Sequence, residues 1–103
     1  VFDETTELIV DQARGKAVAR TLANHGALIL RNHGIVTAAP TMEEAVFLAL
    51  KLNQACHAQL LAEWAGGPKL VGDPAQAKAK GAYVSRPDMH INTFNYVLRR
   101  CKD

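Results

Sequence analysis

The chain has 103 residues, 49% of them hydrophobic and 21% charged, with a net charge of +2. That length suits one globular domain and not two, and so small a charge excludes the strongly basic profile of a nucleic-acid-binding module. No stretch of about 18 apolar residues is present, so no transmembrane helix is expected. The two cysteines, Cys56 and Cys101, do not make a disulfide framework, and the expectation is a reducing, cytoplasmic compartment.

Residues 1–10, VFDETTELIV, begin polar and end in Leu8-Ile9-Val10, the pattern of an edge strand or an extended approach. Asp11 then offers an N-cap oxygen. Ala13, Ala17, Val18 and Leu22 share one helical face, which predicts an amphipathic helix over about 11–24. His25-Gly26 is expected to stop it, with the glycine in the left-handed conformation. Ala27-Leu28-Ile29-Leu30 is a short, continuous apolar run, the pattern of a strand covered on both faces. Asn32-His33-Gly34 turns the chain, and the β-branched Ile35-Val36-Thr37 returns it, predicting a β-hairpin.

Thr41-Met42-Glu43-Glu44 has the spacing of a capping box, a hydroxyl for the first-turn amides with a carboxylate three residues on. From Met42 to about Trp64 the residues are strong helix formers. Met42, Ala45, Ala49, Leu52, Cys56 and Leu60 recur at helical steps, and Val46, Leu48, Leu50 and Leu61 widen the stripe, so a mostly buried helix is expected. Gly66-Gly67-Pro68 ends it, and Lys69 to Gly72 reads as a connector. Asp73-Pro74 opens a weaker helix that Gly81 is expected to interrupt. Ser85 to Asp88 reads as a turn, followed by a last helix from about His90 or Ile91 to Arg100, with Ile91, Phe94, Val97 and Leu98 on one side. Two paired strands alone are a marginal sheet. The chain also opens on Val1-Phe2-Asp3 rather than methionine, so the expectation is a piece of a larger domain.

No catalytic or metal motif of the H-E-x-x-H, C-x-x-C, G-x-S-x-G or phosphate-loop kind is present. Of the four histidines, His57 reads as a helix-surface residue and His25 as a residue suited to a helix C-terminus; His90 has no partner in view. His33 differs in position, since it sits at a strand end beside a glycine. It is either a solvated turn residue or a group aimed at a ligand such as a metal ion, for which neutral imidazole is the commonest donor. A zinc site needs three or four ligands, so His33 alone does not make one. No carboxylate pair is placed for acid–base work. Trp64, Tyr83 and Tyr96 read as packing residues, and Lys78, Lys80, Arg99, Arg100 and Lys102 as solvated faces.

The stretch RGKAVARTLANHGALILRNHGIVTAAPTMEEAVFLALKLNQACHAQLL, residues 14–61, resembles the class II aldolase/adducin family. The shared pattern is a helix, a strand ending in Arg-Asn-His-Gly, a returning strand, and a capped helix opening Thr-x-x-Glu-Ala. The resemblance implies a three-layer α/β/α fold with a mostly antiparallel central sheet, of which residues 1–103 are the C-terminal part. It implies a homotetramer and a divalent metal, usually zinc, held by three histidines. His33 matches the third of these; the H-x-H pair that supplies the other two is absent here, as is the acidic residue that moves the proton. The implied activity is that of a metal-dependent lyase, cleaving a carbon–carbon bond of a sugar phosphate or hydroxy-acid through a metal-stabilised enediolate. Decarboxylases and epimerases of the family, and a non-catalytic adducin-like association module, are the alternatives. The implied partners are a small-molecule substrate and further copies of the chain, with neither nucleic acid nor membrane.

Overall fold

The computed structural model describes residues 1–67 and 73–101, so the expected connector at Lys69 to Gly72 and the residues Pro68 and Lys102 lie outside the described residues. The order of elements is α1 (Gln12–Leu22), β1 (Ala27–Leu30), β2 (Gly34–Thr37), α2 (Met42–Trp64), α3 (Pro74–Val84) and α4 (Pro87–Arg100). The architecture is mixed α/β: α1 and α2 pack on a two-stranded antiparallel sheet and α4 packs on α2, as expected of part of a larger α/β fold.

Each helix begins where a side-chain oxygen meets an orphan amide, with one exception. Asp11 accepts from the Arg14 amide, Thr41 from the Glu44 amide at 3.2 Å, and Asp73 from the Ala75 amide. α4 has no such cap and starts on Pro87 instead, whose missing N–H would have been an orphan in any case. The expected turn at Ser85 to Asp88 is therefore shorter, and the helix begins about one turn earlier than the sequence suggested.

Two expected helix stops also differ. α1 ends at Leu22, where Ala23 takes φ 47°, and Gly26 is not in the left-handed region. Gly26 has another reason to lack a side chain, because a Cβ there would lie 2.8 Å from Leu48 Cδ1 of α2. Gly81 does not interrupt α3, which continues to Val84; one mid-helix glycine costs only about 1 kcal/mol. The end of α2 matches expectation. Gly66 and Gly67 have φ of 103° and 99°, and the Gly67 amide reaches back to the Ala62 carbonyl at 2.9 Å while Gly66 reaches Glu63 at 3.2 Å. This pair of bonds is a Schellman motif.

The hairpin register pairs Ala27 with Thr37 and Leu30 with Gly34. Its core face carries Leu28, Leu30 and Val36 against Ala17, Val18 and Leu22 of α1. Phe2, only 2% exposed, fills the same cluster. Its amide donates to the Ile29 carbonyl at 2.8 Å and its carbonyl accepts from Arg31 at 3.0 Å, making a one-residue parallel bridge beside β1. The edge element is thus Phe2, and not Leu8-Ile9-Val10, of which Leu8 and Val10 are exposed.

Cover on both faces of β1 is not found: Ile29 is 36% and Ile35 40% exposed. The mostly buried α2 is not found either. Only Phe47 is buried on it, and Leu60, Leu61 and Trp64 near its C-terminal end are open to solvent. α2 packs against the hairpin and against α4. The inward face of α4 is His90, Thr93, Phe94 and Val97, while Ile91 and Leu98, expected on that side, are exposed.

Candidate functional site

The turn Arg31-Asn32-His33 is built by backbone conformations that few residue types accept. The His33 amide donates to the Leu30 carbonyl at 3.1 Å, closing a four-residue turn. Asn32, at its third position, has φ 66°, where asparagine is tolerated better than most side chains. Gly34 follows at φ 126°, a value that disfavours any side chain. His33 is held between these two residues and projects into solvent from the end of the hairpin.

The segment before α1 runs beside this turn. Phe2 anchors it to β1, and the Arg31 guanidinium meets the Asp3 carboxylate at 3.2 Å. That ion pair is more than half exposed on both sides, so screening leaves it little stabilising weight. Arg14 of α1 holds the other end: it pairs with Glu7 and Asp11, and its Nη1 donates to the Leu8 carbonyl at 3.0 Å.

Between these anchors the Thr6 carbonyl lies 2.6 Å from His33 Nε2. A carbonyl only accepts, so the ring nitrogen must be the donor and Nε2 carries the proton. In the neutral ring the free lone pair is then on Nδ1. A backbone carbonyl holding one ring nitrogen while the other remains a donor atom is the support that metal-ligating histidines ordinarily have. A ligand that needs Nε2 must first displace Thr6.

A divalent metal is what the sequence resemblance implies, and the donor chemistry of His33 fits one ligand of a set. No group of three or more His, Cys, Asp or Glu side chains that could hold a metal occurs among the described residues. A zinc site takes four positions, so His33 alone would not complete one.

The other histidines are scattered. His25 and His57 are exposed, and the His25 amide caps the end of α1 by donating to the Leu22 carbonyl at 2.8 Å. His90, which had no partner in the sequence reading, is 6% exposed and tilts against the Phe47 ring with centroids 4.7 Å apart. The available signal was Pro87 as a first helical residue, which places His90, Phe94 and Val97 on one face. Trp64, Tyr83 and Tyr96, expected to be packing residues, are 83%, 66% and 53% exposed.

Residues 2–60 match the family model described as the Class II Aldolase and Adducin N-terminal domain. A decarboxylase of Streptomyces niveus, NovR, is 41% identical over 69 residues, which is 67% of this chain and 26% of that protein. A 4-hydroxy-3-prenylphenylpyruvate oxygenase/4-hydroxy-3-prenylbenzoate synthase of Streptomyces roseochromogenus is 42% identical over 67 residues, 65% of this chain and 24% of that protein. An adducin-related protein of Schizosaccharomyces pombe is 40% identical over 52 residues, 50% of this chain and 16% of that one. The chain thus spans about a quarter of the length of the two Streptomyces relatives. No solved structure matches it significantly.

Proposed function

Because this chain belongs to the class II aldolase/adducin family, we propose that it is the C-terminal part of a metal-dependent lyase domain in which His33 is one ligand of a divalent metal, zinc in the first instance. The observation that carries this reading is the presentation of His33: a turn built on Asn32 and Gly34, with the ring held at Nε2 by the Thr6 carbonyl and Nδ1 left as a donor. The metal, when bound, would supply a Lewis acid for the negative charge that develops beside a breaking carbon–carbon bond. The part of this chain is to aim one imidazole and to hold its tautomer. The remaining ligands and the acid–base residue belong to segments beyond these residues. The relative named a decarboxylase supports a carbon–carbon lyase acting on a small carboxylic acid. A cytoplasmic homo-oligomer completes the proposal.

A second reading, an adducin-like association module, is favoured by the adducin-related relative. Metal analysis of the full-length protein separates the two. A lyase is expected to copurify with, or take up, divalent metal in stoichiometric amount, and His33→Ala is expected to lose it while keeping its helical circular dichroism. Unchanged stoichiometry in that variant removes the ligand assignment. A wild-type protein that takes up no divalent metal supports the association module.

A further inference from the structure

Residues 3–10 form a strap between Phe2 and Asp11, and Thr6, whose carbonyl meets His33, lies near its middle. Its shape does not come from backbone pairing: none of residues 3–7 makes a backbone–backbone hydrogen bond among the described residues. Nor is it close-packed throughout. A groove of about 270 Å³ separates it from α1, lined by Phe2, Glu4, Thr5, Ala13, Arg14 and Ala17 among others. Ile9, near the end of the strap, packs on the core. Side-chain contacts therefore decide where the Thr6 carbonyl stands.

On the N-terminal side of Thr6 the contact is the exposed pair of Asp3 with Arg31. Around Thr6 itself, the Thr5 hydroxyl accepts from the Glu7 amide at 3.0 Å, which bends the chain at Thr6. On the C-terminal side the contacts converge on Arg14. Its guanidinium pairs with Glu7, donates through Nη1 to the Leu8 carbonyl at 3.0 Å, and meets Asp11 through Nε at 3.3 Å. Asp11 in turn caps α1 by accepting from the Arg14 amide at 2.8 Å. One half-buried side chain thus ties the strap to the first turn of α1.

The chemistry of arginine suits this work. Its planar fork of N–H donors lets one group serve two carboxylates and a carbonyl together, and its charge is permanent. A lysine ammonium is a point charge and would not reproduce the fork. Thr6 directly precedes Glu7, so any movement of Glu7 and Leu8 carries the Thr6 carbonyl from its 2.6 Å contact with His33 Nε2. No hydrogen bond joins Arg14 to His33 among the described residues, so its influence on the ring passes through the strap.

We infer that Arg14 is a positioning residue for His33: by clamping Glu7, Leu8 and Asp11 it sets the Thr6 carbonyl on Nε2 and so fixes the orientation of the imidazole. The use of that orientation rests on the reading of His33 as a metal ligand, but the test needs no metal. It follows the Nε2 proton of His33 by NMR in metal-free, full-length protein and measures its exchange with water, with the exposed His57 ring as reference. In the wild type this proton is expected to exchange at least about tenfold more slowly than that of His57, the scale of a charge-assisted clamp. In Arg14→Met the difference is expected to disappear, while the His33 amide stays protected by its bond to the Leu30 carbonyl, which shows that the turn itself is intact. Arg14→Lys keeps the charge beside Asp11 and guards against a methionine variant that fails to fold; its exchange at Nε2 is expected to be at least about threefold faster than in the wild type. Exchange in the wild type as fast as at His57, or the wild-type rate in either folded variant, overturns the inference. A failure of zinc uptake would remove the ligand reading and leave this result standing, since no metal enters the measurement.

Discussion

Replacing Phe2 by alanine perturbs both the core and the support of His33. Phe2 is 2% exposed and packs on Ala17, Val18 and Leu28, with Ile9, Leu22, Leu30 and Val36 around them. Truncating a buried phenylalanine to alanine costs about 3–5 kcal/mol, the upper part of that range applying where a rigid cavity remains. Here the backbone is held to β1 by the amide bond to Ile29 and the carbonyl bond from Arg31, so the segment can move inward or detach. The expected loss is therefore about 3 kcal/mol, or roughly a hundredfold in the folding equilibrium. Detachment carries a second consequence. The Thr6 carbonyl reaches His33 only because Phe2 on one side and Arg14 on the other fix the segment. The assay is denaturant unfolding of the full-length Phe2→Ala variant, read as a lower midpoint at unchanged slope, together with hydrogen exchange at the Arg31 amide. Stability within about 1 kcal/mol of wild type, with Arg31 still protected, would refute the claim that Phe2 anchors this segment.

Other substitutions test the close approaches and the turn. Gly26→Ala places a Cβ 2.8 Å from Leu48 Cδ1; overpacking of about 1–3 kcal/mol, partly offset by about 0.4–1 kcal/mol of unfolded-state entropy, leaves a net loss near 1 kcal/mol. That loss is expected to vanish in a Leu48→Ala background, and an equal loss in both backgrounds would contradict the contact. Gly34→Ala meets no neighbouring atom within 4 Å, so its expected cost of about 1–3 kcal/mol is backbone strain at φ 126°. Denaturant unfolding of that variant measures the cost, and a stability equal to wild type would show that the turn accepts another conformation.

Elements specified locally were legible in the sequence. The hairpin follows from a continuous apolar run, a turn with Asn32 and Gly34, and a β-branched return. The bounds of α2 follow from the hydroxyl of Thr41 at one end and the paired glycines at the other. Pro87 is ambiguous by its nature, since proline suits both a turn and a first helical residue, and here it opens α4. Contacts between distant segments left no periodic trace. Phe47 is not one of the positions picked out at helical steps along α2, yet it is the residue buried there because His90 comes back against it. Phe2 belongs to no periodic apolar pattern, and only the strand and helix that come beside it make it core. His33 was singled out by its place at a strand end, whereas its support by the Thr6 carbonyl, 27 residues away in sequence, depends on the fold.

The most direct test of the account is long-range nitrogen–proton NMR of the His33 ring in full-length protein as zinc is added. Before zinc, Nε2 is expected to carry a proton, bonded to Thr6. On stoichiometric zinc binding, one nitrogen of His33 is expected to move to the position of a metal-bound imidazole: Nδ1 if the Thr6 bond is kept, Nε2 if it is released. Stoichiometric zinc uptake with both His33 nitrogens unmoved would contradict the assignment of this turn to the metal site.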